Sequence, residues 1–413
     1  MNKTRIHPLD LYEICSRVAS NLRCKDLASC ARVSQGWNGS FTPPLYNSVV
    51  WSKHGPSKES LERNKHLIRE LTIWSSVYKN PSLTFAQDVV FIVLACSTLA
   101  TLSLSSNEIG DDGAQALSEA LKTNSTLSTL YLKQNEIGDD GAQALSEALK
   151  TNLTLTTLDL ERNSIQDNGA VALAEGLKTN KTLTTLDLSV NNIGDDGAQA
   201  LSEALKVNST LTTLELGWNS IEHSGAQALA EALKTNKTLA TLRLQRNTIG
   251  ENGAQSLSEA LKTNSTLTTL NLNDTLIESN GAVSLAEALK TNKTLTILGL
   301  NSNNIGDDEA QALSEALQTN STLTTLDLMW NSIEDNGAQA LAEALKTNST
   351  LTTLDLGRNS IQDNGAVALA EALKTNKTLT TLNLEYNSIW DAGDADQALA
   401  KARETNINLT VEW

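Results

Sequence analysis

The 413-residue chain is 40% hydrophobic, 19% charged and 4% aromatic, with 32 Lys plus Arg against 48 Asp plus Glu. These proportions describe an acidic globular chain and exclude disorder, collagen and membrane-spanning architectures. All five prolines and all four cysteines precede residue 97, and residues 1–98 carry twelve Lys or Arg against seven Asp or Glu, so the acidic excess belongs wholly to the remainder. An acidic body is a poor partner for nucleic acid phosphates and for anionic membrane, and neither is expected to bind. The N-terminus lacks the apolar run of a secretory signal, and the cysteines form neither a CxxC pair nor a dense framework. Both point to a cytoplasmic or nuclear protein.

Residues 1–51 read as a small helical head. Leu11, Ile14, Val18 and Leu22 recur at helical steps after Pro8, a residue suited to the first helical turn. A second helix is expected to start near Asp26 and to contain Leu27, Cys30, Ala31 and Val33; Trp37 and a Pro43-Pro44 break follow. The plain structural role is a cap on the open end of what comes next. The order Pro8-Leu9, Glu13-Ile14, Leu22, Asp26-Leu27, Val33-Ser34 and Trp37 also resembles an F-box, departing at His7, where that family often has a leucine. The resemblance implies that Pro8, Leu9, Ile14, Leu22, Leu27, Val33 and Trp37 dock on the Skp-type adaptor of a cullin-RING ubiquitin ligase. Residues 52–98 read as a linker and a degenerate N-terminal repeat, with Leu71 and Ile73 on an irregular first strand and an apolar helix from Thr84 to Ser97.

From Leu99 the sequence copies itself every 28 residues. An asparagine returns at 107, 135, 163, 191, 219, 247, 303, 331, 359 and 387, with Thr275 in place of one. Ten copies run to 378; an eleventh, 379–408, is two residues longer, and 409–413 begins a further strand. In Leu155 to Lys178 (LTTLDLERNSIQDNGAVALAEGLK), Leu158 and Leu160 alternate with Thr157, Asp159 and Glu161, which predicts a strand. Ala170, Ala172, Leu173 and Leu177 then fall at helical spacing. The fold class is therefore α/β: a solenoid with a parallel sheet on its concave face and helices on its convex face. The repeated asparagine is expected to bond backbone groups in the turn after each strand, and Thr275 to mark the softest joint. The terminal strand needs cover from Trp413, a partner or further chain.

The unit closely resembles ribonuclease-inhibitor-type leucine-rich repeats, including those of NOD-like receptors and Ran GTPase-activating proteins. Such repeats imply a horseshoe that binds protein, and the fold alone does not choose among their roles. Ten N-x-T sequons, from Asn124 to Asn376, follow the helices, where asparagine is a favoured cap. No phosphate-binding loop, metal-ligand spacing or catalytic constellation appears, so no cofactor, metal or catalytic residue is expected.

Three positions diversify while the helices barely change: four, two and one before each asparagine. They carry Tyr131, Asp159, Glu161, Arg162, Asp187, Glu215, Trp218, Arg243, Arg246, Asp327, Trp330, Asp355, Arg358 and Tyr386. Trp, Tyr and Arg are enriched at binding hot spots, and the acidic run is complementary to a basic surface. The expected function is a non-enzymatic substrate receptor that holds a protein target on the concave face. The alternatives are a scaffold or sensor without a ligase link, and a Ran-type GTPase activator. The last needs an arginine on an early rim, where Ser106 and Gln134 stand.

Overall fold

The computed structural model describes residues 47–51, 58–73, 96–390, 393–405 and 408–413. The head helices, all seven adaptor-binding candidates and most of the apolar helix expected before residue 98 lie outside these residues.

Fourteen parallel strands form one sheet in strict chain order. β1 (Ser48–Trp51) and β2 (Glu70–Ile73) flank helix α1 (Lys58–Asn64). Eleven regular units follow, from β3 (Thr101–Ser103) and α2 (Gly110–Leu121) to β13 (Thr381–Asn383) and α12 (Asp394–Thr405), and β14 (Thr410–Glu412) closes the sheet. Adjacent regular strands pair 28 residues apart, as in Leu158↔Leu186, whereas β1 pairs Ser48↔Glu70 and β13 pairs Thr381↔Thr410. The register thus follows the sequence period and shifts where the period shifts.

One boundary is corrected. Residues 48–51, assigned to the head on sequence, are the first strand of the sheet, with Val49 and Trp51 buried and the alternate residues exposed. That SVVW segment carries the period-two pattern of a strand. It lacks the leucine framework of the later repeats, so no solenoid pattern is visible there.

Each unit folds for the same reasons. In the unit of β5 (Thr157–Asp159) and α4 (Asp167–Thr179), Leu155, Leu158, Leu160, Ile165, Leu173 and Leu177 are at most 1% exposed. Buried leucines of this kind cost about 2–5 kcal/mol each when cut to alanine. Ala170 and Ala174 let neighbouring helices approach, so the wide helical layer stacks on the narrow strand layer. Cys96, also buried, has its thiol pushed up to about 11 by desolvation, which makes it unreactive. At the far end, the Trp413 indole N–H donates to Asp396 of α12 at 3.0 Å, so the last side chain is tied to the last helix.

Two side-chain ladders hold units to each other. The Asn163 amide N–H groups donate to Leu132 O at 3.0 Å and Leu160 O at 2.9 Å, and its Oδ1 accepts the N–H of Asn135 and of Ile137, both at 3.0 Å. One amide therefore satisfies backbone groups of two units. The second ladder is aspartate. Asp139, first residue of α3 (Asp139–Leu149), accepts the N–H of Gln166 at 2.7 Å and Gly169 at 2.9 Å, capping α4 of the following unit.

The repeated glycine follows from that cap. A Cβ at Gly169 would lie 2.6 Å from Asp139 Oδ1, so the glycine makes room for a carboxylate as well as for the neighbouring unit's apolar packing. The aspartate ladder is interrupted where His223, Glu251 and Ser279 take its place. Both helices that follow His223 and Glu251, α7 (Gly250–Leu261) and α8 (Glu278–Thr291), start one residue early on a left-handed residue, Gly250 with φ +66° and Glu278 with φ 50°.

The sequons form a third set of contacts. Asn180 donates to Leu149 O at 2.8 Å and accepts the N–H of Thr182 and Leu183, and it is 2% exposed. Six of the sequon asparagines, Asn180, Asn236, Asn292, Asn320, Asn348 and Asn376, sit as extended helix-ending residues rather than left-handed caps, and their burial removes them from modification in the folded protein.

Candidate protein-interaction face

The turn after each strand fixes where side chains point. The residue just before each ladder asparagine has φ between 53° and 59° in all eleven units, and none is glycine. They include Arg162, Val190, Trp218, Arg246, Trp330, Arg358 and Tyr386. Left-handed backbone costs an L-residue roughly 1–2 kcal/mol, and for β-branched Val190 it is an outlier. The asparagine that follows bonds nearby carbonyls in ten of these turns, as when Asn219 donates to Leu216 O and Gly217 O, and Asp274 keeps the same turn before Thr275. The result is a row of side chains held at the rim of the sheet.

At the N-terminal half the face is acidic. Asp159 and Asp187 are register partners on β5 and β6 (Thr185–Asp187), and Glu161 joins them, with one carboxylate oxygen of each within 4.8 Å of the others. Lys133 pairs with Glu161 at 2.5 Å. Asp159 accepts the Glu161 N–H and Asp187 the Ser189 N–H, both at 2.8 Å. Burial pushes the Asp159 carboxyl up to about 6, outweighing the Glu161 N–H bond and reinforced by the charges of Asp187 and Glu161. Burial also raises Asp187 and Glu215, the latter opposed by Arg243 at 3.3 Å. These carboxylates are short of cations. One oxygen each of Asp159, Glu161 and Asp187 converges here, and Lys133 already engages Glu161.

Beside the cluster lies an open hollow of about 410 Å³, lined by Glu161, Arg162, Asp187, Glu215, Trp218 and Arg243 together with Ser189, Val190 and Gln245. Six residues singled out on sequence thus meet in one place. Tyr131 is the register partner of Asp159 but does not line the hollow.

Along the rim, guanidinium groups stack on rings. The Arg246 guanidinium lies 4.0 Å from the Trp218 ring centre and pairs with Asp274 at 3.1 Å. Arg358 lies 4.4 Å from the Trp330 ring and 3.9 Å from the Tyr386 ring. Trp218, Trp330 and Tyr386 remain 49%, 54% and 67% exposed, so the stacks are presented rather than buried. Below them Asp327 and Asp355 are register partners, and burial raises Asp327. Asn273 reaches Asp327 at 3.1 Å across Gly299, where a Cβ would lie 2.6 Å from the Asn273 oxygen.

Sequence reasoning did not single out Lys133, Gln245 or Asp274 as site residues. The available signal was their place one unit from Glu161, Gly217 and Arg246. Trp390, 73% exposed, also escaped, because it stands in the longer last unit where the 28-residue alignment ends.

Residues 83–411 match the family model described as the NLRC3 LRR domain. The chain belongs to this leucine-rich-repeat family. No curated protein matches it. Among solved structures it is similar to leiomodin-1 actin-binding site 2, with 23% identity, 38% of this chain and 89% of the other covered, and a TM-score of 0.31. It is also similar to a chain of the mouse RP105/MD-1 complex, with 18% identity, 89% of this chain and 54% of the other covered, and a TM-score of 0.49. The family carries protein-binding repeat scaffolds, in keeping with the face described above. No helix among the described residues is long and apolar enough to cross a membrane.

Proposed function

We propose that the repeat body captures a protein target on its concave face, with the acidic hollow receiving a lysine or arginine of that target. The supporting observation is the row of left-handed, non-glycine residues. Glycine would occupy every one of those turns at lower conformational cost, yet each keeps a side chain and the largest are exposed tryptophan and tyrosine. Two desolvated carboxylates that line the hollow with Trp218, Asp187 and Glu215, are stabilised by an incoming cation, which gives the hollow its preference for a basic segment.

On this reading the F-box-like head docks on a Skp-type adaptor through Pro8, Leu9, Ile14, Leu22, Leu27, Val33 and Trp37, and the protein is the substrate receptor of a ubiquitin ligase. The test is binding of a purified Skp-type adaptor by wild type and by a Pro8→Ala/Leu9→Ala/Ile14→Asp variant whose repeats remain folded by circular dichroism. Binding lost only in the variant supports the receptor. No binding by wild type leaves the second reading, a scaffold or sensor repeat domain, which the family match favours. In both readings this chain holds the target, and any chemistry on the target belongs to other proteins.

A further inference from the structure

We infer that the stack of Trp330, Arg358 and Tyr386 is a second anchor point of opposite sign, which binds an aspartate or glutamate side chain of a partner protein. The inference rests on the reading of the concave face as protein-binding and adds a ligand chemistry that the acidic hollow does not have.

The two rim stacks share one plan. In the first, Trp218, Arg246 and Asp274 stand at the same position of three successive units: the ring supports one face of the guanidinium and the carboxylate pairs with its Nε at 3.1 Å. In the second, Trp330, Arg358 and Tyr386 stand at that position of three successive units. Tyr386 replaces the aspartate, so the guanidinium lies between two rings, 4.4 and 3.9 Å from their centres. Among the described residues Arg243 and Arg246 have ion-pair partners, and Arg358 has none. Its planar face is covered twice, and its edge, which carries the donors, is left for a ligand.

A guanidinium held flat by stacking is suited to bidentate capture of a planar carboxylate, because the side-chain entropy is already spent. The protein's own Asp274, paired with Arg246 through Nε alone, shows a carboxylate taken by a ring-stacked guanidinium on this rim. Asp327 and Asp355 lie on the strands beneath, and their negative charge disfavours a phosphate dianion more than a carboxylate monoanion. A carboxylate-bearing segment is therefore the occupant that fits.

The test uses the full chain and three fluorescein-labelled peptides in a Gly-Ser context, carrying Glu-Asp, Gln-Asn or a phosphoserine pair, read by fluorescence anisotropy. The Glu-Asp peptide is expected to bind wild type about tenfold tighter than Gln-Asn. Arg358→Gln should abolish that difference and Arg358→Lys most of it, with Lys346→Gln, on a convex helix, retaining it. Circular dichroism melting checks that each variant is folded. Equal binding of Glu-Asp and Gln-Asn by wild type, or discrimination that survives Arg358→Gln, overturns the inference. Tighter binding of the phosphoserine peptide overturns the choice of carboxylate. A Lys-rich peptide that binds and responds to Glu215→Lys, beside a failed Glu-Asp peptide, would sink this inference alone and leave the proposed function standing.

Discussion

The backbone N–H of Gly306 donates to the Glu309 carboxylate at 2.7 Å, so this helix is capped from within its own unit. Where the aspartate ladder is kept the cap comes from the unit before, as Asp307 caps Glu334 and Gly337 at 2.8 and 2.9 Å. The residue that should cap Gly306 is Ser279, which has no carboxylate, and Glu309 stands where the other units have glycine. The two departures compensate each other. Glu309→Gly should cost about 1 kcal/mol, the usual value of a helix cap, and adding Ser279→Asp should recover it by restoring the ladder. Ser279→Asp alone should destabilise by placing two carboxylates at one helix start. A double-mutant cycle in urea, with hydrogen exchange at Gly306, checks the coupling, and additive effects would contradict it.

Thr275 makes the second test of the ladders. Its hydroxyl donates to Leu272 O at 2.6 Å, within its own unit. An asparagine there would also reach Leu244 O and accept the Ile249 N–H, by analogy with Asn247, which reaches Leu216 O and accepts the Ile221 N–H. Amides of 267–294 should exchange faster than those of other central units, and Thr275→Asn should slow exchange at Ile249 by about 1 kcal/mol in opening free energy. Uniform protection across the repeats would rule the soft joint out.

The rim backbone separates stability from recognition. Val190→Gly and Trp218→Gly both relieve left-handed strain, offset by the flexibility glycine adds to the unfolded chain, for a net stability change between zero and about +1 kcal/mol. Only Trp218→Gly should weaken target binding. Chemical melts paired with binding measurements decide this, and a large destabilisation by Val190→Gly would contradict it.

Asp159, in the acidic cluster beside the hollow, makes this part of the face pH-dependent. Its folded carboxyl is raised from 3.8 to about 6, so its contribution to stability is present below pH 3.8 and is lost as pH rises through about 6. Asp159→Asn should therefore stabilise the protein at pH 7 more than at pH 4. Binding of a basic segment should run the other way, stronger at pH 7.5 than at pH 5, where the carboxyl is protonated. NMR titration of Asp159 measures the shift directly; an ordinary carboxylate midpoint would remove both expectations.

Much of this was legible in sequence, because a solenoid writes its fold as a period. The asparagine ladder, the buried leucines and the diversified rim all repeat every 28 residues, and Leu158 and Leu160 are core for the reason their alternation implies. The aspartate ladder was only half legible: Asp139 looks like a cap for α3, and its actual partners, Gln166 and Gly169, lie 27 and 30 residues on. The left-handed turns were invisible, since no glycine marks them. The stack of Arg358 between Trp330 and Tyr386 depends on three side chains from three units, which spacing alone does not orient.

The central claim, that the concave rim captures a protein, is tested most directly by site-specific photo-crosslinking in the cell. Benzoylphenylalanine is placed in turn at Trp218, at Trp330 and at Val171, an exposed residue on α4. Discrete adducts of one partner from Trp218 and Trp330, suppressed by Glu215→Lys and absent from Val171, are the predicted result. Equal adducts from Val171, or none from the rim, would contradict the account.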